Sequence, residues 1–204
     1  MKLFRSSILA TLLSCYAFSA QAAEWTPFQL SLVNPVQLFS EETNVQGLRV
    51  NLIYGVNKDV KGVDLGVVNR TTGTTQGVQA GAFPYGGVNL TEKLNGVQFG
   101  GFFGGINRAG GEVNGVQISG IIGGINIAGD VHGAQISGTY LGINIAKDVQ
   151  GVQLTTIYNQ ADAMEGVQVG LINVCTKMRG VQIGLVNVIK ESPLQFFPIL
   201  NASF

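Results

Sequence analysis

The sequence repeats one short motif along most of its length. The clearest copy is Gly180–Val188, in which the residues are Gly-Val-Gln-Ile-Gly-Leu-Val-Asn-Val. The glycine that begins each copy recurs at intervals of 14 to 19 residues, at Gly47, Gly62, Gly77, Gly96, Gly115, Gly133, Gly151, Gly166 and Gly180. A repeat of this length predicts a stack of similar structural units that share one core.

Two further positions recur within each unit. The residue two places after the glycine is Gln in seven of nine units, and the exceptions are Arg49 and Asp64. An asparagine follows in each unit: Asn57, Asn69, Asn89, Asn107, Asn126, Asn144, Asn159, Asn173 and Asn187. The separation from Gln to Asn is 5 residues from Gln182 to Asn187 and 9 or 10 residues in the long units. We therefore expect any specific function in the expanded stretches between Gln79 and Asn144.

Two divergent units flank the nine. Pro27–Asn34 fits the short template with Pro in place of the glycine, and Pro193–Asn201 fits it with one extra residue. Proline lacks the backbone N–H that a sheet interior needs, so it belongs at an edge. The sequence therefore predicts eleven units in all, of which the outer two cap the stack.

The residue types of the repeat favour β-structure. Val, Ile, Phe, Tyr and Thr predominate, and glycine is too frequent for helix interiors. We predict an all-β fold, namely a parallel β-solenoid of about eleven coils of 14–19 residues. In such a stack equivalent residues lie about 4.8 Å apart, so the Gln and Asn columns form hydrogen-bonded ladders.

An outer-membrane antiparallel β-barrel is the alternative, because each unit is also long enough for one spanning strand of about 9–11 residues and a turn. Neighbouring strands of a barrel run in opposite directions, so they would pass through the exterior, the membrane and the periplasm in opposite order and would need different sequences. Because the units of this chain are nearly identical, we favour the solenoid. In the unit that begins at Gly115, the apolar residues change parity between Ile118 and Ile121. This change predicts a bend at Gly120 or at Gly123-Gly124.

The first 22 residues have the features of a secretion signal. Lys2 and Arg5 precede a short apolar run, residues 8–18, and Ala20-Gln21-Ala22 is a small-x-small cleavage site. We predict a signal peptide at residues 1–22, followed by a single β-repeat domain at residues 23–204.

Two other interpretations of this leader stay open. The apolar run could be retained as an anchor, and Leu12-Leu13-Ser14-Cys15 offers a weak lipidation motif at Cys15. After cleavage at the predicted site, Cys175 is the remaining cysteine, so the mature chain has no internal disulfide.

The motifs at Gly166–Val174 and Gly180–Val188 resemble the repeat of bacterial surface repeat-containing proteins, a family of uncharacterised exported proteins. The resemblance covers most of the mature chain and is looser in the long middle units. It implies export and a location in the cell envelope. It supplies no catalytic residue to carry over.

The sequence offers little for catalysis or for metal binding. His132 is the single histidine, and Cys175 has no histidine in its own or adjacent units. The acids Asp59, Asp64, Asp130, Asp148 and Asp162 lie mostly in predicted turns. Twelve basic and twelve acidic residues cancel, which argues against nucleic acid as a partner. We predict no catalytic, cofactor-binding or metal-binding residues.

Two groups of side chains could bind a partner if they were exposed. The Gln column could bind a glycan or a backbone, but we favour a purely structural ladder. The aromatic residues of the long units could form an apolar patch, but we favour an inward orientation. These aromatic residues are Phe83, Tyr85, Phe99, Phe102, Phe103 and Tyr140.

Together these patterns predict a non-enzymatic exported repeat protein of the bacterial envelope, a structural or interaction module on the cell surface or outer membrane. The periplasm is the alternative location. Its expected partner is an envelope protein, a glycan or a lipid. An integral outer-membrane β-barrel, acting as a small pore, is the alternative function.

Overall fold

The computed structural model describes residues 24–204, so the predicted signal peptide and Cys15 lie outside the described residues. The described chain is built from strands, and it includes no helix with the length and hydrophobicity of a membrane span. The strands are β1 Trp25–Val33, β2 Val36–Gln37, β3 Asn44–Asn57, β4 Val60–Thr71, β5 Thr74–Gly81, β6 Val88–Thr91, β7 Lys93–Phe99, β8 Ile106–Ala109, β9 Val113–Ile118, β10 Gly123–Ile127, β11 Val131–Ile136, β12 Leu141–Ile145, β13 Asp148–Leu154, β14 Tyr158–Val169, β15 Ile172–Ile189 and β16 Phe196–Ser203.

Equivalent residues of successive units pair in parallel and in register. On the glutamine side, Gly133 pairs with Gly115 of β9 and with Gly151 of β13. On the asparagine side, Asn126 pairs with Asn107 of β8 and with Asn144 of β12. This pairing confirms the predicted β-solenoid. The alternative, an antiparallel barrel, is wrong because the strands of the nine glycine-anchored units pair in parallel.

The number of coils is smaller than the eleven predicted. Nine glycine-anchored turns are stacked, and β1 adds one parallel strand below them. The predicted last unit instead folds back, because β16 pairs antiparallel with β15. Proline cannot adopt the positive φ of the anchor glycines. Neither divergent unit therefore reproduces the anchor: the chain turns back across residues 190–195, which include Pro193, and a register shift between Thr26 and Phe28 accommodates Pro27.

Asn57, which was predicted in the asparagine column, lies outside it. Asn69 pairs with Gly55, and Asn57 is two residues further along, opposite Thr71. The side chain of Asn51 occupies the space that Gly55 leaves open and donates a hydrogen bond of 2.7 Å to Asn69. A side chain therefore completes the column from a position that the spacing of residues does not indicate.

The interior of the solenoid combines amides with small aliphatic side chains. From Leu94 onward, the residues two places before each glycine and two places after each asparagine point inward and form the apolar part of the core, whereas Thr71, Thr75 and Thr91 take these positions in the earlier units. Its cluster comprises Leu94, Ala109, Val113, Ala128, Val131, Ala146, Val149, Ala161, Met164, Cys175, Met178 and Ile189. The Gln and Asn columns fill the rest, so the residues with the most polar side chains of the motif are its most buried ones.

Candidate interaction surface

The glutamine column is fully buried and forms one continuous ladder. In each step the Nε2 atom of one Gln donates to the Oε1 atom of the Gln in the preceding coil, as from Gln117 to Gln98 at 2.7 Å and from Gln135 to Gln117 at 2.9 Å. The ladder extends from Gln182 down to Gln79. These amides are inaccessible to a partner, which confirms the structural interpretation of the column.

The asparagine ladder is also buried, and it runs in the opposite direction. The Nδ2 atom of Asn126 donates to Asn144 of the following coil at 2.9 Å, and the same pattern continues to Asn187. Two parallel rows of amide dipoles of opposite direction largely cancel each other. The core therefore accumulates no large dipole along the solenoid axis.

A buried ion pair terminates the glutamine ladder. Gln79 donates its Nε2–H to Asp64 at 2.9 Å, and Arg49 in turn donates to both carboxylate oxygens of Asp64, at 2.7 and 2.5 Å. Neither side chain of the pair is exposed. Asp64 was expected among the acids that lie mostly in turns, but it is a core residue whose charge Arg49 compensates.

The expanded stretches of the four long units form loops that leave the coil at a narrow neck. At each neck the two ends of the loop are in close contact, as between Gly100 and Gly105. Strand β9 ends at Ile118 and β10 begins at Gly123, and the chain bends at Ile121 and Ile122 between them, so the predicted bend in that unit is confirmed next to Gly120 and Gly123. A Cβ atom at these necks would overlap backbone atoms, which explains why glycine is so frequent there.

The loops stack on one another and hold their aromatic side chains outward. The backbone N–H of Phe102 donates to Pro84 of the preceding loop at 3.0 Å, and Ile121 donates to Phe102 at 2.9 Å. The prediction that the aromatic residues point inward is wrong for most of them. Tyr85 is 78 % exposed and Tyr140 is 72 % exposed, because the necks exclude the loop side chains from the core.

The exposed loop residues and their counterparts in the short coils form one apolar edge of the solenoid. The apolar edge comprises Leu52, Ile53, Val67, Phe83, Tyr85, Phe102, Phe103, Ile121, Tyr140, Leu141, Leu171, Leu185 and Ile199. It has residues from eight of the nine turns, and in the turn that begins at Gly151 the equivalent position is Thr156. Nine turns correspond to about 45 Å at the strand spacing. Continuous exposed apolar surfaces of this kind mark interaction sites.

Charged residues are confined to the opposite edge. Between Gly47 and Asn187, every charged residue except Arg49 and Asp64 lies between an asparagine and the next anchor glycine. That segment forms the turns of the other edge, where pairs such as Glu165 and Arg179 lie at the surface. The described solenoid is therefore amphipathic, with a charged edge and an apolar edge.

An apolar groove lies beside the loops on the asparagine side. It has a volume of about 730 Å³ and is lined by Val68, Ile106, Ile125, Leu141 and Ile143 together with loop glycines and Tyr85. The groove extends the apolar edge onto the adjoining face of the solenoid.

Comparisons with protein-family models, with curated proteins and with solved structures gave no significant match. The resemblance to bacterial surface repeat-containing proteins therefore stays a prediction.

The structure does not bring the two candidate reactive residues together. His132 lies at the surface of the charged edge, with Nδ1 3.7 Å from Oε1 of Glu112. Cys175 is fully buried in the apolar core and donates its S–H to the carbonyl of Lys177. Within residues 24–204, no three His, Cys, Asp or Glu side chains are grouped so that they could hold a metal ion.

Burial raises the pKa of the Cys175 thiol from 9.0 to about 11. Above pH 9 the thiol of the unfolded chain ionises while that of the folded chain keeps its proton. We therefore expect the free energy of unfolding to fall more steeply between pH 9 and 11 in the natural protein than in Cys175→Ala. Urea titrations across this range measure the difference, and parallel pH profiles would contradict it.

Sequence reasoning missed the apolar edge, although a signal was present. From Gly77 onward, the segment between each anchor glycine and its asparagine contains no charged residue, through to Asn187. In these units the presence or absence of charged residues distinguishes the segment that forms the charged edge from the segment that forms the apolar edge, and the sequence alone is enough to see it.

Proposed function

We propose that this chain is a non-enzymatic exported repeat protein of the bacterial envelope, and that it works as an interaction module. The observation that supports the proposal is the segregation of charge, which leaves one edge free of exposed charge in all nine turns and apolar in eight of them. A soluble protein seldom exposes so long an apolar surface unless a partner covers it. The leader at residues 1–22 and the surface-repeat resemblance support the envelope as the location.

The amide ladders and the stacked loops suit such a role. They hold the apolar side chains of the edge at a regular spacing on a rigid support, because the loop backbones are hydrogen-bonded from coil to coil. A rigid array of this kind binds without a large loss of conformational entropy.

Cell fractionation of a Gram-negative host that expresses the full chain tests the proposal. We expect the mature chain to begin at Ala23 and to be recovered with the envelope. The double variant Phe103→Glu/Tyr140→Glu should move to the soluble fraction of the periplasm, because it places two charges on the apolar edge.

The matched control is Gln46→Glu/Gln76→Glu, which adds the same two charges on the charged edge, where both residues flank Lys61. It should remain with the envelope. Recovery of an unprocessed chain in the cytosol would refute export. Equal distribution of the two double variants would refute the role of the apolar edge.

A further inference from the structure

We propose that the partner of the apolar edge is a lipid bilayer, and that the solenoid lies on it with its long axis parallel to the membrane plane. This inference rests on the proposed function and specifies its partner. In this orientation the aromatic loops enter the boundary between headgroups and acyl chains, and the charged edge faces water.

The distribution of charge is what an interfacial protein requires. Moving a charged side chain into the apolar region of a bilayer is costly, and the apolar edge carries none over its nine turns. Between Gly47 and Asn187, the charged residues that could remain hydrated all lie on the far edge. Without the predicted leader, which contains Lys2 and Arg5, the mature chain has ten basic and twelve acidic residues, and this small net charge presents no electrostatic barrier to neutral lipid.

The chemistry of the most exposed side chains also favours a bilayer. Tyr85 lies beside Phe103, with ring centroids 6.4 Å apart, and Tyr140 projects from a loop two coils further along, so hydroxyl-bearing rings accompany purely apolar ones. Tyrosine is enriched at membrane–water interfaces because its ring is apolar and its hydroxyl group is polar. The rings of Phe102 and Phe103 meet edge to face at 5.3 Å, and both rings are exposed.

A second copy of the chain fits this edge less well. The edge is about 10 Å wide, the usual spacing of packed sheets, and about 45 Å long. Contact between two such edges would therefore cover a footprint of only about 450 Å², whereas each partner in a stable protein interface buries about 800 Å² of accessible surface. A bilayer can also contact the apolar groove and the adjoining outer residues on both faces, which a second edge cannot reach.

Flotation of the purified mature chain with phosphatidylcholine vesicles tests the inference directly. We expect the natural chain to float with the vesicles and to stay bound in 1 M NaCl, because the interaction is not electrostatic. Phe103→Glu/Tyr140→Glu should lower the bound fraction at least tenfold, and Gln46→Glu/Gln76→Glu should leave it unchanged. Circular dichroism of each variant checks that the fold is retained.

Tryptophan fluorescence then locates the contact. Trp25 is the single tryptophan, at the start of β1, level with the turns of the charged edge. In Trp25→Phe/Tyr140→Trp we expect a blue shift on adding vesicles and quenching by brominated lipid. The natural chain, which has Trp25 alone, should show neither.

The other outcomes would overturn the inference. Absence of flotation, flotation that salt abolishes, or quenching of Trp25 would show that the apolar edge does not enter a bilayer. Formation of a dimer that Phe103→Glu/Tyr140→Glu dissolves, without vesicle binding, would identify a second copy as the occupant instead. In either case, envelope retention in cells that depends on the edge would leave the proposed function intact.

Discussion

Replacing Gly115 by Ala should destabilise the protein by about 3 kcal/mol or more, because two independent costs combine. The φ value of Gly115 is 142°, a conformation that residues with a side chain rarely adopt. An added Cβ atom would also overlap the carbonyl oxygen of Gly96 in the preceding coil. Relief of the overlap would require the two coils to separate, which stretches both amide ladders at that level.

Gly104→Ala is the matched control. Gly104 lies in a loop of the apolar edge, where an added Cβ atom would meet only one carbonyl oxygen, at 3.5 Å. We expect its free energy of unfolding to change by no more than about 0.5 kcal/mol. Urea unfolding followed by circular dichroism measures both variants. Equal losses in the two would show that the anchor column tolerates a side chain.

Breaking the buried pair between Arg49 and Asp64 should have the second large effect. Either Arg49→Gln or Asp64→Gln leaves an uncompensated buried charge, and we expect a loss of about 3–5 kcal/mol from each. The remaining charge has no route to water, because both positions are fully buried.

The double variant Arg49→Gln/Asp64→Gln should recover most of the loss. Seven of the nine units have Gln at this position. The amide placed at position 64 can accept from Gln79 as the Gln residues of other coils accept from their neighbours. A double-mutant cycle in urea measures the coupling. Additive losses, with the double variant as unstable as the sum of the singles, would contradict the ladder as the reason for recovery.

Most of the fold could be predicted from the repeat, since identical residues at each step reward parallel stacking in register. The reversal of β16 could not, because Pro193–Asn201 resembles a further unit in residue spacing, and only hydrogen-bond pairing decides its direction. The position of Asn51 in the asparagine ladder could not be predicted from the sequence either. It depends on the space that Gly55 leaves open, which spacing does not describe.

The apolar edge was predicted only in part. The aromatic residues of the long units were recognised as a group, but their direction depends on whether an expanded stretch widens the coil or leaves it. The contact of Gly100 with Gly105, and of Gly81 with Gly87, closes the coil beneath each loop, so the loop side chains have no access to the core. The coil is closed by a contact between two backbone segments of one unit. A pattern of apolar and polar residues does not predict such a contact.

By itself, the sequence determined the solenoid, the two ladders and, from Gly77 to Asn187, the confinement of charged residues to one segment of each unit. Each of these follows from local residue types that recur at a regular interval. Only the tertiary structure decided which surfaces are open to a partner. Burial depends on how the backbone closes around the core, and that closure places the amides inside and the aromatic rings outside.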